Sequence, residues 1–182
     1  FGEFAALPLG SRLTASLFQA VTPRTAGFNT VDLSRMTGAG QLIIIVLMLI
    51  GGSSGSTAGG LKTVTFIVLV LFLVTRARGR ETVCVFKRTI PQSQVLDAMT
   101  IAMIMLGLAV FGGIFISASS PVGFTDALFE AVSALATVGL TAGVTGSLSI
   151  PAQFLIILYM YFGRVGVLTI SLGFLVGNRA EE

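Results

Sequence analysis

The sequence contains no histidine, a single cysteine and few charged residues. Without histidine, the chain cannot build a histidine-ligated metal centre or a serine–histidine pair for nucleophilic catalysis. The one cysteine, Cys84, cannot form a disulfide within the chain, and we expect a reduced thiol there. Only 10% of the residues are charged, whereas soluble domains carry about 25%. This composition indicates a membrane protein.

The chain contains long segments without any charged residue. Hydrophobic residues make up 54% of the chain, and the mean hydropathy is +0.95. Residues 36–61, 99–120 and 131–163 contain no charged side chain, and a helix needs roughly 20 apolar residues to cross a bilayer. Basic residues crowd into one loop between two apolar segments. This marks the loop as cytoplasmic rather than as a nucleic-acid-binding patch, and its basic residues are Arg76, Arg78, Arg80, Lys87 and Arg88.

Two stretches of the sequence are built alike. Residues 18–28 read Phe-Gln-Ala-Val-Thr-Pro-Arg-Thr-Ala-Gly-Phe, and residues 129–140 read Phe-Glu-Ala-Val-Ser-Ala-Leu-Ala-Thr-Val-Gly-Leu. Each has helical character and ends in Thr-(Ala or Val)-Gly-(Phe or Leu). They are separated by 111 to 112 residues (18 to 129, 28 to 140), which predicts an internal repeat.

Each copy predicts a helix that enters the membrane only halfway. Residues 10–21 would form a helix about 18 Å long, roughly half a bilayer. Pro23 ends this helix, and Gly27 permits a turn that residues with a Cβ would resist. In the second copy, a helix over residues 125–135 leads to a similar turn at Gly139.

Such a turn can line an ion path with backbone carbonyl groups, as in potassium-channel filters. The carboxyl end of the preceding half-helix carries partial negative charge that favours a cation. An ordinary glycine turn between a helix and an extended segment is the alternative, and the recurrence of the motif favours the filter. The candidate filter residues are Thr25, Ala26, Gly27 and Phe28, and Thr137, Val138, Gly139 and Leu140.

A glycine-rich segment interrupts the apolar stretch from residue 39 to 75. One straight helix over this stretch would be about 55 Å long, against a hydrocarbon core of about 30 Å. We expect two helical arms, 39–50 and 61–75, joined by a non-helical segment at membrane depth. A phosphate-binding loop is disfavoured, because Leu61 separates the glycines from the lysine.

These motifs together resemble the Trk/Ktr/HKT superfamily of potassium transporters. The resemblance rests on residues 22–30, 51–63, 136–141 and 163–164, and the basic loop is closer to the KtrB branch than to TrkH. It covers nearly the whole chain and implies an all-α transmembrane fold of tandem M1–pore loop–M2 repeats, with re-entrant half-helices and filter loops. It also implies that the chain corresponds to the last two of four repeats, with the first two lying upstream.

The resemblance divides the chain into functional segments. Residues 1–80 correspond to a third repeat without its M1 helix, 81–92 to a cytoplasmic loop, 93–177 to a fourth repeat, and 178–182 to a cytoplasmic tail. In the family, one glycine per repeat defines the potassium site, which maps to Gly27 and Gly139. Here Phe28 and Leu140 stand where channels have tyrosine, so a simpler filter with fewer ion sites is expected.

The resemblance also implies an intramembrane gate below the filter. The alternative for its glycines is close helix packing at small-xxx-small spacing. Arg164 lies within an uncharged helix and must face protein or water, where it would either contact this segment as part of the barrier or form a structural pair. Lys62 would either join the gate or extend to water. The candidate gate residues are Gly51, Gly52, Ser53, Ser54, Gly55, Ser56, Thr57, Ala58, Gly59, Gly60, Lys62 and Arg164.

We therefore expect potassium uptake, with no catalytic residues and no cofactor in this chain. Potassium is the transported ion, and sodium is a candidate coupling ion. The family implies a homodimer surrounded by membrane lipid, a KtrA/TrkA-like cytosolic nucleotide-binding regulatory subunit, and a multi-pass location in the bacterial plasma membrane. A secondary transporter with a broken-helix substrate site is the alternative. We also expect Arg24 and Glu130 to pair with each other or with the upstream repeats.

Overall fold

The computed structural model describes residues 8–30, 32–53, 59–80, 83–85 and 88–165. These ranges are mainly helical, and the basic loop, which was not expected to contain a strand, holds a two-stranded antiparallel hairpin. The helices are α1 (Leu9–Val21), α2 (Gly38–Leu49), α3 (Thr63–Ala77), α4 (Gln92–Ser119), α5 (Phe124–Leu135) and α6 (Ile150–Val165), and the strands are β1 (Cys84–Val85) and β2 (Arg88–Thr89). Short 3₁₀ turns span Leu33–Arg35 and Thr145–Ser147.

Helix α1 ends where the sequence predicts. The backbone N–H of Thr22 makes the last helical bond, to Phe18 O at 2.9 Å, and Pro23 has no N–H with which to continue the series. The carbonyl of Thr22 instead accepts from Ala26 and Gly27, at 3.1 and 3.2 Å. The chain therefore leaves the helix in a tight turn that satisfies its backbone.

The linker after this turn carries an acidic and a basic residue, Asp32 and Arg35. The Ser34 hydroxyl and N–H donate to Asp32, at 2.6 and 3.0 Å. These bonds lower the pKa of Asp32 below its usual value. Asp32 also forms an exposed ion pair with Arg35, with an N–O distance of 3.4 Å.

The predicted broken helix is present as the two arms α2 and α3. They do not continue one another, since Ile50 and Leu61 lie side by side in a parallel bridge. Gly51 N donates to Leu61 O at 2.8 Å, and Leu61 N donates to Leu49 O at 3.0 Å. The ends of the break thus satisfy each other's backbone groups, as a non-helical segment at membrane depth requires. Residues 54–58 of the segment lie outside the described ranges.

Helix α4 is long and apolar enough to cross a membrane. It has 28 residues and a mean hydropathy of 2.4 over its most apolar window, and its length is about 42 Å. Helices α2, α3 and α6 are apolar but shorter, at 10–17 residues, within the described part of the chain. The portion of the last predicted helix beyond residue 165, and the predicted tail, fall outside the described ranges.

The short helix α5 forms the centre of the packed core. Helices α2, α4 and α6 all pack against it, and every residue from Phe129 to Leu135 is buried. Two adjacent glycines of α4, Gly112 and Gly113, let α5 and α6 approach closely, because a Cβ at either position would meet side chains of those helices within 3.4 Å. Tyr159 of α6 fills the space at Gly112 and donates to Leu108 O at 2.7 Å. The half-length helix α5 is therefore held between α2, which is equally short, and the longer helices α4 and α6.

Candidate functional site

The two glycine turns have the same unusual backbone conformation. Thr25 and Gly27 have φ values of +67° and +71°, and Thr137 and Gly139 have +56° and +84°. Within the described residues, these two threonines are the non-glycine positions with positive φ. A β-branched residue resists this conformation, at roughly 1–2 kcal/mol. Such strain at matched positions is typical of functional loops.

This alternation has a direct consequence for the carbonyl groups. In an extended strand, successive carbonyls point to opposite sides, whereas alternating left- and right-handed residues turn them toward the same side. We name residues 25–28 the first filter loop and residues 137–140 the second filter loop. Each loop can thus present several peptide oxygens together, which is the ligand arrangement that suits a dehydrated monovalent cation.

The two filter loops lie against each other. A Cβ placed on Gly27 would overlap the carbonyl oxygen of Val138, so a side chain at this position cannot fit beside the second loop. Gly139 differs, since a Cβ there would meet no atom of the described residues within 4 Å. The first loop is therefore covered by its neighbour on this side, whereas no described residue covers the corresponding side of the second loop.

A buried hydroxyl supports each filter loop. Thr22 Oγ1 donates to Phe28 O at 2.8 Å, and Ser133 Oγ donates to Leu140 O at 2.5 Å. Both hydroxyl residues lie at the carboxyl end of the half-helix that precedes their loop. Neither residue was among the candidates predicted from the sequence, and the recurrence of a hydroxyl residue before the two glycine turns is the signal that could have revealed them.

Glu130 supports the chain that follows the second filter loop. Its carboxylate accepts from the Thr141 hydroxyl, from Ala142 N at 3.1 Å and from the Thr145 hydroxyl at 3.2 Å. Gln19 occupies the matching position in the first copy and is also buried, but its amide nitrogen and oxygen have no hydrogen-bond partner among the described residues. The two copies therefore differ in how a buried polar side chain behind the turn is satisfied.

This difference gives a prediction about stability. We expect Glu130→Leu to lower the unfolding free energy by about 2–3 kcal/mol. The variant leaves the Thr141 and Thr145 hydroxyls and the Ala142 N–H without their carboxylate acceptor. Gln19→Leu, the matched control, should be neutral or stabilising, since it removes an unpaired buried amide. Thermal unfolding of the full-length protein in detergent measures both. Equal losses of unfolding free energy in the two variants would contradict the conclusion that Glu130 is hydrogen-bonded and Gln19 is not.

The glycine-rich segment reaches the second filter loop. Gly59 N donates to Thr137 Oγ1 at 2.8 Å, and a Cβ on Gly59 would lie 2.9 Å from the backbone of Ala136. A Cβ on Gly163 of α6 would overlap Leu135 O and lie 2.9 Å from Thr137 Cγ2. Two glycines therefore allow the chain to approach Thr137 closely. The described end of the candidate gate therefore contacts the candidate filter directly.

Arg164 lies next to this contact. It lines a cavity of about 470 Å³ between α5, the second filter loop and α6, together with Glu130, Ser133, Thr137, Gly139 and Met160.

The other described residues of the candidate gate lie at the junction of the broken helix. This junction contains Gly51, Gly52 and Gly60. Lys62 occupies the N-cap position of α3, where its side chain makes no capping hydrogen bond. Candidate gate residues Ser54, Gly55, Ser56, Thr57 and Ala58 lie outside the described ranges.

The direct pairing expected between Arg24 and Glu130 is wrong, whereas pairing with the upstream repeats stays a prediction. Arg24 is exposed, and the carboxylate of Glu130 bonds to hydroxyl and amide groups within 15 residues of itself. A second polar contact between the two repeats, besides that of Gly59 with Thr137, links Gln41 of α2 to Asp126 of α5, with a nitrogen–oxygen distance of 2.9 Å. No local pattern could have revealed it, because the two residues are 85 positions apart.

Comparisons with known proteins identify a family of cation transport proteins. A family model described as TrkH, cation transport protein, matches residues 2–180. Potassium/sodium uptake protein NtpJ of Enterococcus hirae is 42% identical over 175 residues, which are 93% of this chain and 39% of the relative. Ktr system potassium uptake protein B of Vibrio alginolyticus is 40% identical over 165 residues, covering 91% of this chain and 36% of the relative.

A solved structure has the same fold. The crystal structure of the potassium transporter TrkH from Vibrio parahaemolyticus matches with a TM-score of 0.74 at 23% identity, covering 92% of this chain and 38% of that chain. This chain therefore spans about two fifths of the length of the proteins it matches.

Proposed function

We propose a function from one premise: the chain belongs to the TrkH family of cation transport proteins. The resemblance recognised in the sequence is thereby confirmed, and the family consists of transporters rather than enzymes. The function proposed is potassium uptake, with this chain supplying two pore units of the transporting subunit. The named activities of NtpJ and of Ktr protein B support potassium as the substrate.

The paired backbone geometry of the filter loops carries the proposal. A potassium ion that sheds its water needs several oxygens of moderate field strength on a common axis. Two adjoining loops, each with a strained threonine and a left-handed glycine, offer peptide oxygens to one site. Gly27 and Gly139 mark the residues at which the potassium would bind, and the carboxyl ends of α1 and α5 add partial negative charge nearby.

The open side of Gly139 supports a larger ring. The first loop packs against the second through Gly27 and Val138, which is a head-to-tail contact between like units. Such contacts close into a ring when the rotation allows it. We propose that a further unit covers Gly139 as the second loop covers Gly27, so that tandem M1–pore–M2 units surround one path.

The gate proposal rests on the contact between the glycine-rich segment and Thr137. Gly59 sits directly against the second filter loop, and Arg164 brings a positive charge to the adjoining cavity. A cation leaving the filter would meet both. We propose that this region forms an intramembrane barrier to permeation, and that potassium passes only when the barrier rearranges.

The remaining features of the system are proposals that follow from the family. The chain would lie in a bacterial plasma membrane as part of a multi-pass protein, with the basic loop on the cytoplasmic side. A homodimer and a KtrA/TrkA-like nucleotide-binding subunit would complete the complex, and sodium is the candidate coupling ion. The similarity to NtpJ, a potassium/sodium uptake protein, supports testing sodium first.

Rubidium uptake tests the proposed function. We expect bacteria that lack their own potassium uptake systems to accumulate rubidium when they express the full-length protein, and excess potassium to compete. The broken α2–α3 helix also suits a secondary transporter with a midplane substrate. Absence of rubidium uptake by a correctly folded, membrane-inserted protein would overturn the potassium assignment and favour that alternative.

A further inference from the structure

The hydroxyl groups behind the two filter loops are buried and directed at specific carbonyls. Thr22 is 1% exposed and Ser133 is 3% exposed. Each donates to the carbonyl of the residue that follows the filter glycine, namely Phe28 and Leu140. A buried hydroxyl needs a hydrogen-bond partner. In both copies this partner is the carbonyl oxygen immediately after the filter glycine.

Each of these residues also holds the opposite end of its loop through its backbone. Thr22 O accepts from the N–H groups of Ala26 and Gly27, and Ser133 O accepts from Val138 N at 2.9 Å. One residue in each copy therefore bonds to the chain just before the glycine and, through its side chain, to the carbonyl just after it. The loop is closed on itself by a single polar residue.

The local sequences show that this arrangement does not follow from spacing alone. Thr22 lies five positions before Gly27, whereas Ser133 lies six positions before Gly139. The intervening residues also differ, with a proline in the first copy and none in the second. The same pair of bonds is nevertheless formed in both, which points to a requirement on the loop rather than to a by-product of helix geometry.

We propose that Thr22 and Ser133 are positioning residues of the filter. Their buried hydroxyls hold the carbonyls of Phe28 and Leu140 toward the half-helices and away from the ion path, so the carbonyl ligands end at Gly27 and Gly139. A carbonyl bonded in this direction cannot also turn toward an ion on the opposite side. The number of ion ligands is thus limited by two side chains that never touch the ion.

This inference rests on the proposed function and is tested by selectivity rather than by uptake alone. We expect Thr22→Val, which removes the hydroxyl and keeps the shape, to lower the preference for potassium over sodium by about fivefold. The Ser133→Ala variant should have a similar effect. The measurement is the competition of sodium against rubidium uptake by the full-length protein, with thermal unfolding recorded for each variant.

Variants that keep the hydroxyl provide the matched controls. Thr22→Ser and Ser133→Thr should retain wild-type selectivity within about twofold, because the donor remains in place. If one hydroxyl-free variant fails to fold, the other still decides the question, since each loop has its own supporting hydroxyl. Unchanged selectivity in a folded Thr22→Val or Ser133→Ala protein would overturn the inference, whereas lack of uptake by the wild type would overturn the proposed function itself.

Discussion

Replacing Gly27 by alanine is expected to abolish potassium-selective uptake. The new Cβ would overlap the carbonyl oxygen of Val138, and the residue would hold a φ of +71° that costs alanine roughly 1–2 kcal/mol. The overlapping atom belongs to the backbone and cannot move aside as the end of a flexible side chain can. The two filter loops must therefore separate. We expect rubidium uptake by the full-length protein to fall by about a hundredfold or more. A hundredfold fall corresponds to about 2.7 kcal/mol, and the loss of ion ligands when the loops separate should exceed this free energy.

Two other glycines separate this effect from a general intolerance of alanine. Within the described part of the chain, a Cβ on Gly107 or Gly146 would meet no atom within 4 Å, and neither has a positive φ. Both alanine variants should therefore transport normally. Wild-type uptake by a folded Gly27→Ala protein would mean that the filter loops do not act together at this contact.

An alanine substitution at Gly139 tests the proposed ring of pore units. It has a φ of +84° but an open space where a Cβ would lie. On the contacts within this chain alone, Gly139→Ala should cost only backbone strain and leave partial uptake. If a further unit covers Gly139 in the full-length protein, the loss should equal that of Gly27→Ala. A mild phenotype would therefore count against the proposed ring while leaving the paired loops intact.

The sequence was sufficient to predict the elements that local rules control. Pro23 and Gly27 mark the end of α1 and the turn after it, and the glycines after Ile50 mark the break between α2 and α3. These features depend on a missing N–H, on freedom at positive φ and on helix propensity, which act within a few residues. The half-length of α1 and α5 follows from the same local signals.

The supporting contacts of the site could not be predicted in this way. Thr25 and Thr137 adopt a backbone conformation that β-branched residues usually avoid, so propensity argues against the geometry actually present. The bond between Gly59 and Thr137 joins residues 78 positions apart, and only the tertiary fold brings them together. Glu130 shows the opposite error, since a distant ion pair was expected where nearby hydroxyl and amide groups satisfy the carboxylate.

The contact network around Thr137 explains why the filter and the candidate gate belong to one structural unit. Gly59 and Gly163 approach Thr137 from the two segments that follow the filter loops in the chain. A displacement of either segment would change the surroundings of a filter residue. The barrier and the ion site are therefore expected to respond to each other, and a change at the barrier should be visible as a change in flux.

Replacing Arg164 by glutamine is expected to raise the rate of rubidium uptake by about tenfold. A unit positive charge about 10 Å from a permeating cation raises its energy by about 1.7 kcal/mol at an effective dielectric constant of 20, and about 1.4 kcal/mol corresponds to a factor of ten. Arg164 lines the cavity that adjoins the second filter loop, and glutamine keeps hydrogen-bonding capacity while removing the charge. Initial uptake rates of the full-length protein in proteoliposomes measure the effect.

Arg35→Gln is the matched control, because it removes the same charge from an exposed ion pair in the linker after the first filter loop. Its uptake rate should remain near that of the wild type, since charges in water are screened beyond about 10 Å. Faster uptake by Arg164→Gln with unchanged thermal unfolding would identify the arginine as part of the barrier. Slower uptake by a correctly folded Arg164→Gln protein would instead assign Arg164 a structural role, because a residue that only obstructs the path cannot slow transport when its charge is removed.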